Sequence, residues 1–146
     1  MNANDMTATL QQHRDWVHNR HGSGKKADLR GADLRKVNFE GADLRFADMR
    51  AADLSGANLS QADMSNADLR GANLSEATCI GTKFVNARLE GANMYGVDLR
   101  TAVMEYSHMA GANLSSRFQK ILKDDSKQDQ GSREQTQTHE KGRQMR

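Results

Sequence analysis

At 146 residues the chain has the length of one domain, and its net charge of +2 hides an uneven distribution, with a slightly acidic middle between mildly basic ends. A single cysteine excludes an intramolecular disulfide, and no apolar run is long enough for a signal peptide or a membrane span, so no membrane association and a cytoplasmic location are expected. Proline is absent, which suits a fold whose stacked ladders need every backbone N–H.

Residues 1–26 read as an N-terminal helical cap and linker. Met6, Leu10, His13 and Val17 follow helical spacing, with Trp16 alongside, and Thr7 or Thr9 is placed to cap a helix over 6–20. Gly22 and Gly24 are expected to stop it.

From Leu29 to Leu114 an apolar residue recurs at every fifth position, giving 18 repeats: Leu29, Leu34, Phe39, Leu44, Met49, Leu54, Leu59, Met64, Leu69, Leu74, Cys79, Phe84, Leu89, Met94, Leu99, Met104, Met109 and Leu114. Two residues before each lies a small one, Ala in 14 of the 18, and between them stands Asp or Asn in 13. Five residues advance a helix by about 140°, so these positions would scatter around a helical cylinder instead of forming a stripe. Strand geometry fits, because residues two apart share a face: Ala and Leu point inward while Asp or Asn points out. Five is odd, however, and a straight strand would turn the next pair to the wrong side. The chain must therefore bend once per repeat. Eight of the bend positions carry Gly, which tolerates backbone angles that other residues avoid.

A chain that bends in one sense every five residues and stacks on itself is a solenoid. The A(D/N)LXX pattern over residues 27–116 resembles the pentapeptide repeat family. That resemblance implies an all-β solenoid, a right-handed quadrilateral β-helix with four repeats per coil. Eighteen repeats then give about 4.5 coils, a rod roughly 22 Å long at strand spacings of about 4.8 Å. Core residues stack 20 apart in columns such as Leu29, Met49, Leu69, Leu89 and Met109, and the interior is packed solid, with no room for a ligand. Leu10, His13, Trp16 and Val17, ahead of a Gly-containing turn and Ala27-Asp28-Leu29, resemble the leader that precedes the coil in many members.

Beyond the coil, Ser116 and Gln119 form a capping box before Phe118, Ile121 and Leu122, which predicts a short capping helix at 117–124. Residues 125–146 read as a disordered polar tail.

No constellation carries chemistry. Cys79 takes an inward position, where burial raises a thiol's pKa and blocks access. His18 and His21 offer too few ligands for a metal site, and Gly22-Ser23-Gly24-Lys25 lacks the upstream Gly and strand of a phosphate loop. Catalytic, metal and cofactor-binding residues are therefore expected to be none, and the chain is not expected to be an enzyme. The outer surface is where function must lie. Arg30, Arg50 and Arg70 stack beside Asp28, Asp48 and Asp68, as a charge-compensated ladder or a docking stripe. Ile80, Val85, Tyr95 and Val103 take outward positions in the later coils, and Tyr106 falls at a corner, suggesting a partner surface or a seat for 117–124.

These features favour a non-catalytic protein-interaction or scaffold module with an unknown protein partner. The alternative is the DNA-mimicking regulation of DNA gyrase that the resemblance implies for some members. It asks for a strongly negative rod, whereas residues 27–116 carry nine basic against 12 acidic groups with Arg interleaved among Asp. Direct nucleic-acid binding is not expected, since the acidic body repels phosphates. The resemblance also implies a possible homodimer through the C-terminal coils, with which a capping helix would compete.

Overall fold

The computed structural model describes residues 3–19 and 22–115. These lie within one compact unit, Met1–Ser115. The helix expected over 117–124 and the tail expected over 125–146 fall outside the described residues.

Helix α1 spans Ala3–His18, three residues earlier at its start than Met6 and two short of residue 20 at its end. Thr7 and Thr9 are therefore interior positions, and the acidic residue in the first turn, favourable at the positive end of the helix, is Asp5. Past its last turn the Asn19 side chain donates to the Asp15 carbonyl and the Gly22 amide donates to that of Asn19. Gly24, with φ +77°, passes so close to α1 that a Cβ there would lie 2.6 Å from the Trp16 amide nitrogen. A glycine is required to bring the linker under the helix.

The rest of the described chain is a solenoid of parallel bridges. Asp28 pairs with Asp48, Asp48 with Asp68, Asp68 with Arg88 and Arg88 with His108; the other three sides repeat this 20-residue step from Asp33, Asn38 and Asp43. From Leu29 to Leu74 each inward residue donates its amide to the next circuit, as Leu29 does to the Asp48 carbonyl at 2.7 Å, while Asp48 donates back to Ala27 at 3.1 Å. A corner follows at once, closed by a bond such as Ala32 N–H to the Leu29 carbonyl at 3.1 Å. Little of the body forms continuous strand for this reason: each side holds one bridge before the chain turns. Among the described residues only Asn93–Met94 (β1) and Asn113–Leu114 (β2) extend to two residues, paired in parallel with Asn93 opposite Asn113.

The corners are less glycine-dependent than the sequence suggests. Eight non-glycine residues, Lys36, Phe46, Ala51, Gln61, Asn66, Glu76, Asn86 and Tyr106, hold positive φ there alongside the repeat glycines. Thr101, whose β-branched side chain resists that conformation, does not adopt it, and the ladder breaks beside it. No bridge joins Thr78 to Asp98, and the Gly81 amide donates to the Thr101 hydroxyl at 3.1 Å instead of to a backbone carbonyl.

The core lies on the axis. From Leu34 to Phe84 every inward residue is at most 1% exposed, and the alanines two residues before them are buried from Ala47 onward. Fully burying such a Leu or Met is worth about 1.5–3 kcal/mol. Met104 and Met109, expected inside with the others, are only half-buried, whereas Leu99 and Leu114 of the same last described circuit are 8% and 7% exposed. At the opposite end α1 closes the core, with Met6 and His13 buried. No described helix is long and apolar enough to cross a membrane.

Candidate functional surfaces

His13 joins cap and coil. Its Nδ1 accepts from the Ala27 amide at 2.8 Å and its Nε2 lies 2.8 Å from the Arg45 carbonyl, so one fully buried ring ties the first circuit's start to its end. The Trp16 indole stacks on it at 5.8 Å and meets Phe46 edge-on at 6.2 Å. Leu10 and Val17 are half-buried. Two grooves flank the helix, about 230 Å³ beside Gln12, Lys25 and Asp28 and about 370 Å³ beside Arg14, Asn38 and Glu40. His18 Nε2 lies 3.5 Å from Asp43, while His21 is outside the described residues.

On the side that carries Arg30, Arg50 and Arg70 the charges form a zipper. Each guanidinium grips the aspartate two residues before it, at 2.7, 2.7 and 2.6 Å. Arg30 and Arg50 also reach the next circuit's Asp48 and Asp68, each at 3.7 Å. Hydrogen bonds from Arg30 hold the Asp28 carboxyl down to about 2, and the same grip by Arg35 does so for Asp33. Like charges thus stack along the axis, and the zigzag of opposite ones neutralises them. In the next circuit the order inverts to Arg88–Glu90, at 3.2 Å, and Glu90 keeps one buried carboxylate oxygen without a hydrogen-bond partner among the described residues.

On two other sides serine takes the place of arginine in the middle circuits. Ser55, Ser65 and Ser75 donate their hydroxyls to the Asp or Asn two residues back, and Asn113 donates to Asn93 at 3.2 Å. Ile80 and Tyr95 stand 55% and 57% exposed, Val103 and Tyr106 are exposed, and Val85 is half-buried. Phe46 is also an exposed aromatic, and its role against Trp16 was not legible, because the repeat marks position 46 only as a corner.

Cys79 is buried, and burial pushes its thiol up to about 12. No group of three or more His, Cys, Asp or Glu able to hold a metal occurs among the described residues.

The family model for pentapeptide repeats matches eight copies over residues 25–61, 52–91 and 82–116. The chain belongs to the pentapeptide repeat family. Among solved structures this pentapeptide repeat protein is similar to HetL, involved in heterocyst differentiation regulation in the cyanobacterium Nostoc, at 34% identity over 62% of this chain and 46% of that one, with a TM-score of 0.41. It is similar to Rfr23 of the cyanobacterium Cyanothece at 33% identity, over 66% of this chain and 65% of that one, with a TM-score of 0.37. QnrB1, a plasmid-mediated fluoroquinolone resistance protein, is similar at 18% identity over 72% of this chain and 74% of that one, with a TM-score of 0.32. The chain spans about half the length of HetL. No curated protein matches it.

Proposed function

We propose that this pentapeptide repeat protein is a non-catalytic protein-interaction or scaffold module that presents rigid outer faces to a protein partner. The carrying observation is the unbroken run of inward residues at most 1% exposed from Leu34 to Phe84. A solid axis takes no ligand, so recognition falls to the outward columns, whose spacing the ladder fixes. We also infer the right-handed, four-sided form with about 4.5 coils, supported by pairing 20 residues apart. The outward apolar residues Ile80 and Tyr95 interrupt two adjacent polar sides and mark the surface on which a protein would dock.

The experiment is affinity capture from the source cells with the wild-type chain and an Ile80→Asn/Tyr95→Ser variant. A protein held by the first, lost by the second and accompanied by unchanged melting supports the reading. Capture indifferent to these substitutions contradicts docking on that face. The gyrase-regulator alternative asks for unneutralised carboxylates, yet Asp28, Asp48 and Asp68 are each gripped by Arg. In a supercoiling assay with purified gyrase, neither inhibition nor protection from quinolones is expected; dose-dependent activity would restore that alternative.

A further inference from the structure

One side of the stack is unzipped between the third and fourth circuits. A circuit earlier that side holds three backbone bonds, from Leu59 to the Thr78 carbonyl at 2.8 Å, from Gln61 to Ile80 at 2.8 Å and from Thr78 to Ala57 at 2.9 Å. None of their equivalents one step on, Cys79 to Asp98, Gly81 to Arg100 or Asp98 to Ala77, is formed. The neighbouring sides are intact: Phe84 bonds to the Val103 carbonyl and Leu89 to that of His108, each at 2.7 Å, and β1 pairs with β2. The gap is therefore confined to residues 97–101.

Its cause is the corner. Gly41, Gln61 and Gly81 hold positive φ at the earlier corners of this column, and Thr101, the fourth, does not. A β-branched residue is costly in that conformation. The chain leaves the path that would bring the Arg100 carbonyl to Gly81, and the Thr101 hydroxyl stands in for it at 3.1 Å. The stack beside it is weakened as well. Cys79 is the smallest of the 18 inward side chains. The corner bond that follows it, from Thr82 N–H to the Cys79 carbonyl, stretches to 3.4 Å, against 2.9–3.2 Å at the other corners.

We propose that residues 97–101 form a flap, hinged at Gly96, that lifts from the solenoid while the circuits before it stay stacked. Without backbone bonds to the preceding circuit the flap opens at a lower free energy than the stack as a whole. Lifting it uncovers Cys79, which shares a core column with Leu99 and is 1% exposed when the flap is closed. Ile80 and Arg100 stand on the two lips, so opening also resets the spacing of outward columns that the ladder fixes elsewhere. The flap is a property of the chain and does not depend on which partner docks there.

Cys79 reports the opening, because it is the sole thiol and a buried thiol reacts only when uncovered. The test mixes the folded full chain with an aromatic disulfide reagent, from which the Cys79 thiolate displaces one aromatic thiolate as the mixed disulfide forms. Labelling should proceed in the native chain at a rate nearly independent of urea below the unfolding transition, since a small flap exposes little surface. Thr101 is exposed, so substitutions there leave the core intact. Thr101→Gly frees the corner and lets the ladder close, and should slow labelling at least about tenfold. Thr101→Val keeps the branch but loses the hydroxyl bond, and should speed it. A thiol that stays unlabelled until the chain unfolds, a rate that climbs with urea in step with global unfolding, or a rate unmoved by Thr101→Gly overturns the proposal.

Discussion

His13 Nδ1 takes a hydrogen bond from the backbone N–H of Ala27 at 2.8 Å, which places the ring's proton on Nε2, facing the Arg45 carbonyl. A second proton would set two donors against each other at Nδ1. Burial lowers the pKa from its ordinary 6.5, against the opposing pull of the Arg45 carbonyl and Asp43, with Lys26 and Arg45 adding to the lowering. A depressed histidine pKa means that the unfolded chain binds more protons below about 6.5. The ring's contribution is complete above that value and is lost as pH falls through it towards the folded pKa. Melting followed by the fluorescence of Trp16, the sole tryptophan, should drop between pH 7 and 5 more steeply in wild type than in His13→Gln. Equal slopes would remove His13 from the explanation.

Two glycines separate backbone strain from crowding. Gly71 holds φ +67° with nothing within 4 Å of an added Cβ, so Gly71→Ala meets only the left-handed penalty of about 1 kcal/mol. In Gly24→Ala the new methyl meets the backbone of α1 at Gln12 and Trp16, neither of which can yield without moving the helix. That variant should lose the Trp16 environment in near-ultraviolet dichroism. Gly71→Ala should lower the melting temperature by only a few degrees.

Burial grades the core along the axis. Leu59 has no exposure, and Leu59→Ala should cost about 2–5 kcal/mol through lost transfer energy and a residual cavity. Met104→Ala, at a half-buried site, should cost distinctly less, roughly 1–2 kcal/mol. Urea unfolding of both variants measures the difference, and equal costs would contradict the graded burial.

The Arg zipper makes a spectroscopic prediction. Asp28 should titrate near 2 by carboxyl NMR, and Arg30→Ser should return it towards the ordinary carboxylate value of 3.8. Its pairing is present above that value and lost as pH falls through about 2. Because Asp28 and Arg30 are both more than half exposed, melting should scarcely respond to 1 M salt.

The five-residue period alone reveals which residues face inward, because only one backbone path keeps every Ala and Leu on the same side. It does not reveal how the period ends or falters. Met104 and Met109 hold the same inward register as Met49 and Met64, yet they are half-buried where those two are fully buried. Gly at eight corners announces the bend, but neighbours decide that Ala51, Phe46 and Tyr106 adopt it as well. Thr101 reads as one more corner until its branched side chain breaks the ladder at Asp98.

Sequence by itself determined the solenoid and its phase, since those follow from local alternation and from which residue types occur. Only the tertiary structure decided that His13 bridges Ala27 and Arg45, that Phe46 grips Trp16, and that Tyr106 stands uncovered. Those relationships join positions 14 to 32 residues apart, or depend on an end of the stack. No local periodicity encodes contacts made across the mouth of a coil, where the repeat has nothing left to repeat against.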